Sequence, residues 1–142
     1  MNFALLNNQL TEEKEIRLTN KNRGFLYGDG FFETIKIFNK KPFNLENHFQ
    51  RIIYSTALLD IKLSLSILDL KKSISILADK NNMKSGSVRI SVYRNSIGKY
   101  FPEENSSSIL ITSKDDIVDE FVKKTFLDIG YYKENLKSPS PL

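Results

Sequence analysis

The stretch from Arg23 to Arg51, RGFLYGDGFFETIKIFNKKPFNLENHFQR, constrains the fold more than any other part of the chain. Gly28, Asp29 and Gly30 spell a tight turn: glycine tolerates positive φ or a close backbone neighbour, and aspartate suits the turn between them. Phe31 to Phe38 follows, rich in aromatic and β-branched residues, and this predicts a strand. Alternation sends Phe32, Thr34, Lys36 and Phe38 to one face and Phe31, Glu33, Ile35 and Ile37 to the other. Large apolar groups stand on both faces, so the strand is expected to be central. Glu33 then falls among apolar neighbours and needs a partner, because a buried carboxylate without one is costly. After a polar turn, Asn44 is a suitable N-cap for a helix over residues 45–59. Leu45, Phe49, Ile52, Ile53 and Thr56 form its apolar stripe, with His48 and Arg51 three apart on one flank.

The rest of the chain alternates between the same two element types. Phe3 to Leu6 and Glu15 to Leu18 read as a short strand pair, with a turn at Gln9 to Thr11. Ser66 and Asp69 fit a capping box for a second helix over residues 66–80, whose buried face is Ile67, Leu70, Ile74, Leu77 and Ala78. Val88 to Arg94 alternates as a strand, Ile109 to Thr112 is another, and Thr125 to Tyr132 is expected to be the last. Strands, two helices, then strands predict an α+β fold: an antiparallel or mixed sheet with two helices packed on one side.

Composition removes several function classes. The 142 residues contain no cysteine and one histidine, His48, which excludes disulfides and thiolate chemistry and argues against a histidine metal cluster or a Ser-His-Asp triad. No apolar run approaches the ~20 residues of a membrane span, and the N-terminus lacks the pattern of a signal peptide, so a cytoplasmic location is expected. The net charge of +4 comes from lysines spread along the chain rather than from a basic block. It reads as a solvated surface, and no nucleic-acid or membrane partner is expected. Two roles are open to Arg51 from the residues alone: a surface arginine lying over the apolar stripe, or an anion ligand.

YGDG-x-FET with the later H-x-x-R resembles the N-terminal signature of the class IV, or fold-type IV, aminotransferases, which use pyridoxal 5'-phosphate (PLP). The family spans branched-chain and D-amino-acid aminotransferases and aminodeoxychorismate lyases. The resemblance implies the small N-terminal domain of the D-amino-acid aminotransferase-like fold, covering residues 1–132, with residues 133–142 opening the interdomain linker. It implies that Arg51 binds the PLP phosphate, that Tyr27 and Phe32 line the substrate pocket, and that Glu33 is buried beside them. Arg89, Arg94 and Lys99, with Tyr100, surround the junction where family members contact a substrate carboxylate. A guanidinium fork suits that task, and Arg89 and Arg94 fall on opposite strand faces, so one of them is expected to point inward. Family registration places the Schiff-base lysine after the Ser138 to Leu142 segment, which argues against Lys137 and leaves no catalytic residue, and no metal site, expected in this chain. The implied protein is the N-terminal half of a homodimeric aminotransferase acting on an amino acid and a 2-oxo acid, the chain alone being inactive. Two alternatives stand beside it: an aminodeoxychorismate lyase acting on an amino-chorismate, and a non-catalytic binding or dimerisation domain. Thr34, where branched-chain enzymes carry glycine, points to the lyase and D-amino-acid branches.

Overall fold

A computed structural model describes residues 2–97 and 99–115. The chain opens with a hairpin of β1 (Phe3–Leu6) and β2 (Gln9–Glu12), closed by Asn7 and Asn8 at φ 49° and 65°. Two successive positive-φ residues make the turn whose twist matches antiparallel strands, and asparagine accepts that region better than most side chains. The expected strand pair is therefore present, but its turn lies at Asn7–Asn8 and its second strand at Gln9–Glu12. Residues 13–15 form a 3-10 turn instead of starting a strand. Helix α1 (Arg23–Tyr27) follows, capped by the Asn22 side chain accepting from the Phe25 amide. Its five residues, to which sequence pattern assigns no element, are too few to show helical periodicity.

Strand β3 (Gly30–Phe38), the two-residue β4 (Lys41–Pro42), helices α2 (Leu45–Leu58) and α3 (Ile67–Lys80), and strands β5 (Gly86–Arg94) and β6 (Ser107–Asp115) complete the described chain. The six strands form one sheet in the order β2-β1-β6-β5-β3-β4, with antiparallel neighbours throughout. The expected α+β class holds, in its antiparallel form. The expected strand over residues 125–132 lies outside the described residues.

One sheet face is packed. Ile35, Ile37, Val88, Ile90, Val92, Ile109 and Ile111 are buried in one cluster with Phe49 and Ile52 of α2 and Leu70, Ile74, Leu77 and Ala78 of α3. The α3 stripe matches expectation, apart from the half-buried Ile67 at the first turn, and Ser66 and Asp69 form the capping box. In α2, Ile53 is exposed, because 45, 49, 52 and 56 already fill the contact stripe. Asn44 is the N-cap residue but sits at φ 53°, and its side-chain oxygen accepts from Asn47 rather than from the helix backbone. β3 is next to the edge, not central. Its Phe32 and Phe38 face is open, at 54% and 53% exposure, which is why both faces carry large apolar groups without both being core.

The start of β3 is held by charge. Asp29 accepts from Arg23 Nε at 2.6 Å and from Arg94 Nε at 3.0 and 3.2 Å, and both arginines are buried. The backbone adds a bond from the Arg94 amide to the Asp29 carbonyl at 3.1 Å. The two glycines beside it differ in purpose. Gly28 ends α1 at φ 63° with open space around it, so its freedom to adopt left-handed backbone is what the turn uses. Gly30 lies where a Cβ would stand 2.5 Å from the Val92 carbonyl oxygen and 2.8 Å from Tyr93 Cα, so it is there for close approach.

Two outcomes follow from this corner. Gly30→Ala forces backbone apart and is expected to lose about 2 kcal/mol in chemical denaturation. Gly28→Ala incurs only the left-handed penalty, about 1 kcal/mol. The reverse ranking would refute the assignment. For Asp29, burial acts to raise the carboxyl pKa, but hydrogen bonds and charge from Arg23 and Arg94 outweigh it and hold the value below the ordinary range. A depressed carboxylate contributes stability above its unfolded pKa of about 4 and loses it as pH falls through the folded value. Asp29→Asn should therefore cost about 3 kcal/mol at pH 7, with the gap to wild type narrowing steadily below about pH 4. A gap that is unchanged at about pH 2.5 would count against the ion pairs as its source.

Candidate functional site

β4 pairs only with Ile37 and Phe38, so the outer edge of β3 from Gly30 to Ile35 has no strand neighbour among the described residues. The site gathers at this edge. The strand's pleat splits its side chains, with Glu33 on the helix side and Phe32 and Thr34 on the open side.

On the helix side, α2 packs over β3 and brings His48 and Arg51, one turn apart, to Glu33. His48 Nδ1 lies 2.7 Å from Glu33 Oε1, and Arg51 Nε lies 3.3 Å from Glu33 Oε2. This meets the requirement that a carboxylate with 9% of its side chain exposed find partners. Each carboxylate oxygen takes one of them. Glu33 is the one carboxylate that Arg51 pairs with among the described residues, and 73% of the Arg51 side chain remains exposed. The guanidinium is ion-paired at Nε, and most of the side chain is open to solvent. Its planar fork suits a phosphate or carboxylate.

On the open side, the Arg89 guanidinium carbon sits 3.5 Å above the Phe32 ring centroid, a cation held on an aromatic face. A hollow of about 340 Å³ there is lined by Leu18, Phe25, Phe32, Arg89, Tyr93 and Leu110, among others. A second hollow, of about 320 Å³ and lined by Thr34, Ser87, Arg89, Thr112 and Lys114, shares Arg89 as a wall. Burial pushes the Tyr93 phenol up, against a hydrogen bond with Ser108 that acts to lower it, so it stays neutral across the physiological range. An apolar hollow with one fixed cation and a neutral hydroxyl suits a small organic anion with an apolar part.

Of the residues singled out from sequence, Phe32 and Arg89 come together, and Arg51 reaches the same strand edge from the other face. Arg94 does not join them. It points to the helix side, where it donates to the Leu59 carbonyl (2.6 Å), the Asp60 carbonyl (2.9 Å) and Asn105 Oδ1 (2.6 Å) as well as to Asp29. Arg94 also borders a hollow of about 350 Å³ with Asn22, Ser96 and Glu103, but its donors are engaged within the fold, whereas Arg89 lies over Phe32 between the two hollows on the open face. Tyr27 closes α1, half exposed, with the Arg23 guanidinium carbon 5.0 Å from its ring centroid. Lys99 is exposed on the loop after β5, its carbonyl facing Arg23 Nη1 at 3.4 Å. Neither Tyr27 nor Lys99 lines these two hollows. Sequence reasoning misses Tyr93 as a site residue, although its alternation with Arg89 and Ser91 already places it on that face. Among the described residues no cluster of histidine and acidic side chains could hold a metal, and no helix is long and apolar enough to cross a membrane.

Comparison with known proteins bears on the family and the fold. Residues 30–141 match the family described as amino-transferase class IV. A D-alanine aminotransferase of Listeria monocytogenes is 31% identical over 91 residues, covering 64% of this chain and 32% of the relative. One from Bacillus licheniformis is 36% identical over 91 residues, with the same coverage. In fold, the chain is similar to the Escherichia coli branched-chain amino acid aminotransferase, with a TM-score of 0.74 at 21% identity over 80% of this chain and 40% of that one. It is likewise similar to the Thermobaculum terrenum branched-chain enzyme in its PLP form, with a TM-score of 0.70 at 14% identity over 82% of this chain and 40% of that one. The chain thus spans about a third of the length of the curated relatives it matches. The match begins at Gly30, where β3 starts, and takes in Glu33, His48, Arg51 and Arg89: the chain belongs to the class IV aminotransferase family, whose enzymes depend on PLP.

Proposed function

We propose that this chain builds the phosphate-holding edge and one substrate wall of a PLP-dependent aminotransferase that exchanges an amino acid and a 2-oxo acid. The observation that carries the reading is Arg51, ion-paired at Nε with Glu33 yet 73% exposed. That donor set fits a phosphate: a guanidinium with one internal partner and most of its surface open to solvent. When bound, PLP supplies the electron sink for bond breaking at the substrate's α-carbon. This chain's residues bind and orient. Arg51 holds the phosphate, Arg89 over Phe32 takes a substrate carboxylate, and Phe32, Phe25 and Leu18 keep water from the apolar part of the substrate. The names of the curated relatives and Thr34 in the FET motif favour small D-amino acids as the first substrates to test. No observation favours the amino-chorismate lyase reaction over transamination.

On this reading residues 1–132 are the small domain, residues 133–142 open a linker, and the cofactor-bearing lysine belongs to the other half of the enzyme. The open sheet face, with Phe25 and Phe32 exposed, supports a covered state in the assembled protein, a homodimer on this proposal. A monodisperse monomer of the two-half protein in sedimentation at micromolar concentration would remove that part of the proposal.

The direct test is Arg51→Ala in the protein that carries both halves. PLP affinity should fall by roughly 2–5 kcal/mol if the cofactor buries the pair in the assembled protein, by analogy with buried charge pairs, while the fold is retained. Unchanged PLP affinity would return Arg51 to the role of a surface arginine.

A further inference from the structure

Glu33 is the residue this reading leaves without a task. A carboxylate in a core-facing strand position is expensive, and an apolar residue of similar size would serve the fold as well or better. Its neighbours on that face of β3 are Ile35 and Ile37, both fully buried. Its two oxygens face two side chains on α2: Oε1 faces His48 Nδ1 at 2.7 Å and Oε2 faces Arg51 Nε at 3.3 Å.

We infer that Glu33 is a positioning residue for the anion site, holding Arg51 by its Nε so that the far end of the guanidinium is presented to the cofactor phosphate. This rests on Arg51 being the phosphate ligand. The division of the two oxygens is what makes the hold useful. A free carboxylate pairs with arginine side by side through both oxygens, occupying two of the N–H groups a phosphate would need. His48 takes up one lone pair of Oε1, and the nearest approach of Arg51 to Glu33 is an ion pair from Nε to Oε2 at 3.3 Å. Glu33 thus meets the guanidinium from its Nε side, with most of the Arg51 side chain still exposed. His48 donates its Nδ1 proton to Oε1 and sits one helical turn before Arg51, so α2 delivers both parts in one register. Burial of Glu33 fixes the anchor while the Arg51 side chain remains mostly exposed. A long side chain that would otherwise sample many rotamers is thereby held near one, so less freedom is lost when the anion binds.

The test compares PLP with pyridoxal, which lacks the phosphate, by spectroscopic titration of the two-half protein in four forms: wild type, Arg51→Ala, Glu33→Gln and the double variant. Glu33→Gln should weaken PLP binding about tenfold, leave pyridoxal within about twofold, and add little to Arg51→Ala. Glu33→Asp, which keeps the charge but shortens the reach, should show the same selective loss and serves if the glutamine variant does not fold. If Arg51→Ala itself shows no preference for PLP over pyridoxal in its loss, the phosphate assignment fails and this inference fails with it. If Arg51→Ala is selective but Glu33→Gln weakens both ligands equally, or neither, Glu33 is a structural group and only this inference is overturned.

Discussion

Asp29 stands between the guanidinium groups of Arg23 and Arg94, and the position of β3 depends on that pairing. The three residues come from the start of α1, the turn before β3 and the end of β5. Arg94 extends the tie to the carbonyls of Leu59 and Asp60 after α2 and to Asn105 before β6. One buried charge cluster therefore joins five parts of the chain. Gly30 lets β3 approach β5 closely enough for the cluster to form, since any side chain there would meet the Val92 carbonyl. Charges that are buried and mutually satisfied are hard to rearrange, because breaking any one contact strands the others away from water.

From that anchored start the strand's pleat does the rest. Alternation over three residues sends Phe32 to the open face, Glu33 to the helices and Thr34 to the open face again. The apolar stripe of α2 packs over β3, and the flank beside the stripe carries His48 and Arg51 to Glu33. The functional edge is thus a product of two periodicities meeting, period 2 in the strand and 3.6 in the helix. The shortness of β4 matters equally. A longer neighbour would pair with Gly30 to Ile35 and close the edge where Arg51 is exposed.

Much of this is legible in the residues. The two long helices, the strands over 31–38 and 88–94, the α3 capping box and the need of Glu33 for a partner all follow from local pattern. The departures have local causes too. Asn7–Asn8 carries a hairpin turn with no glycine to announce it, so local pattern puts the second strand too late. The five residues of α1 are fewer than periodicity can detect. Ile53 fits a helical apolar pattern but lies at its margin, where the sheet does not reach.

The sequence by itself determined the alternation of β3, the pairing of His48 with Arg51 on one flank of α2, and the opposite facing of Arg89 and Arg94, because each depends only on spacing along a regular element. It also carried the family signature that the match over residues 30–141 bears out. Only the tertiary structure decided which arginine has its donors committed to the fold and which lies over Phe32 on the open face. Arg94 and Arg89 are chemically identical, and what separates them is the company on each face of β5: Asp29 and three further acceptors on one, Phe32 and open space on the other. The same holds for Glu33. Sequence could say that a buried carboxylate needs partners, but those partners lie 15 and 18 residues away on another element. Only packing α2 onto the sheet brings charges so separated along the chain within hydrogen-bonding reach.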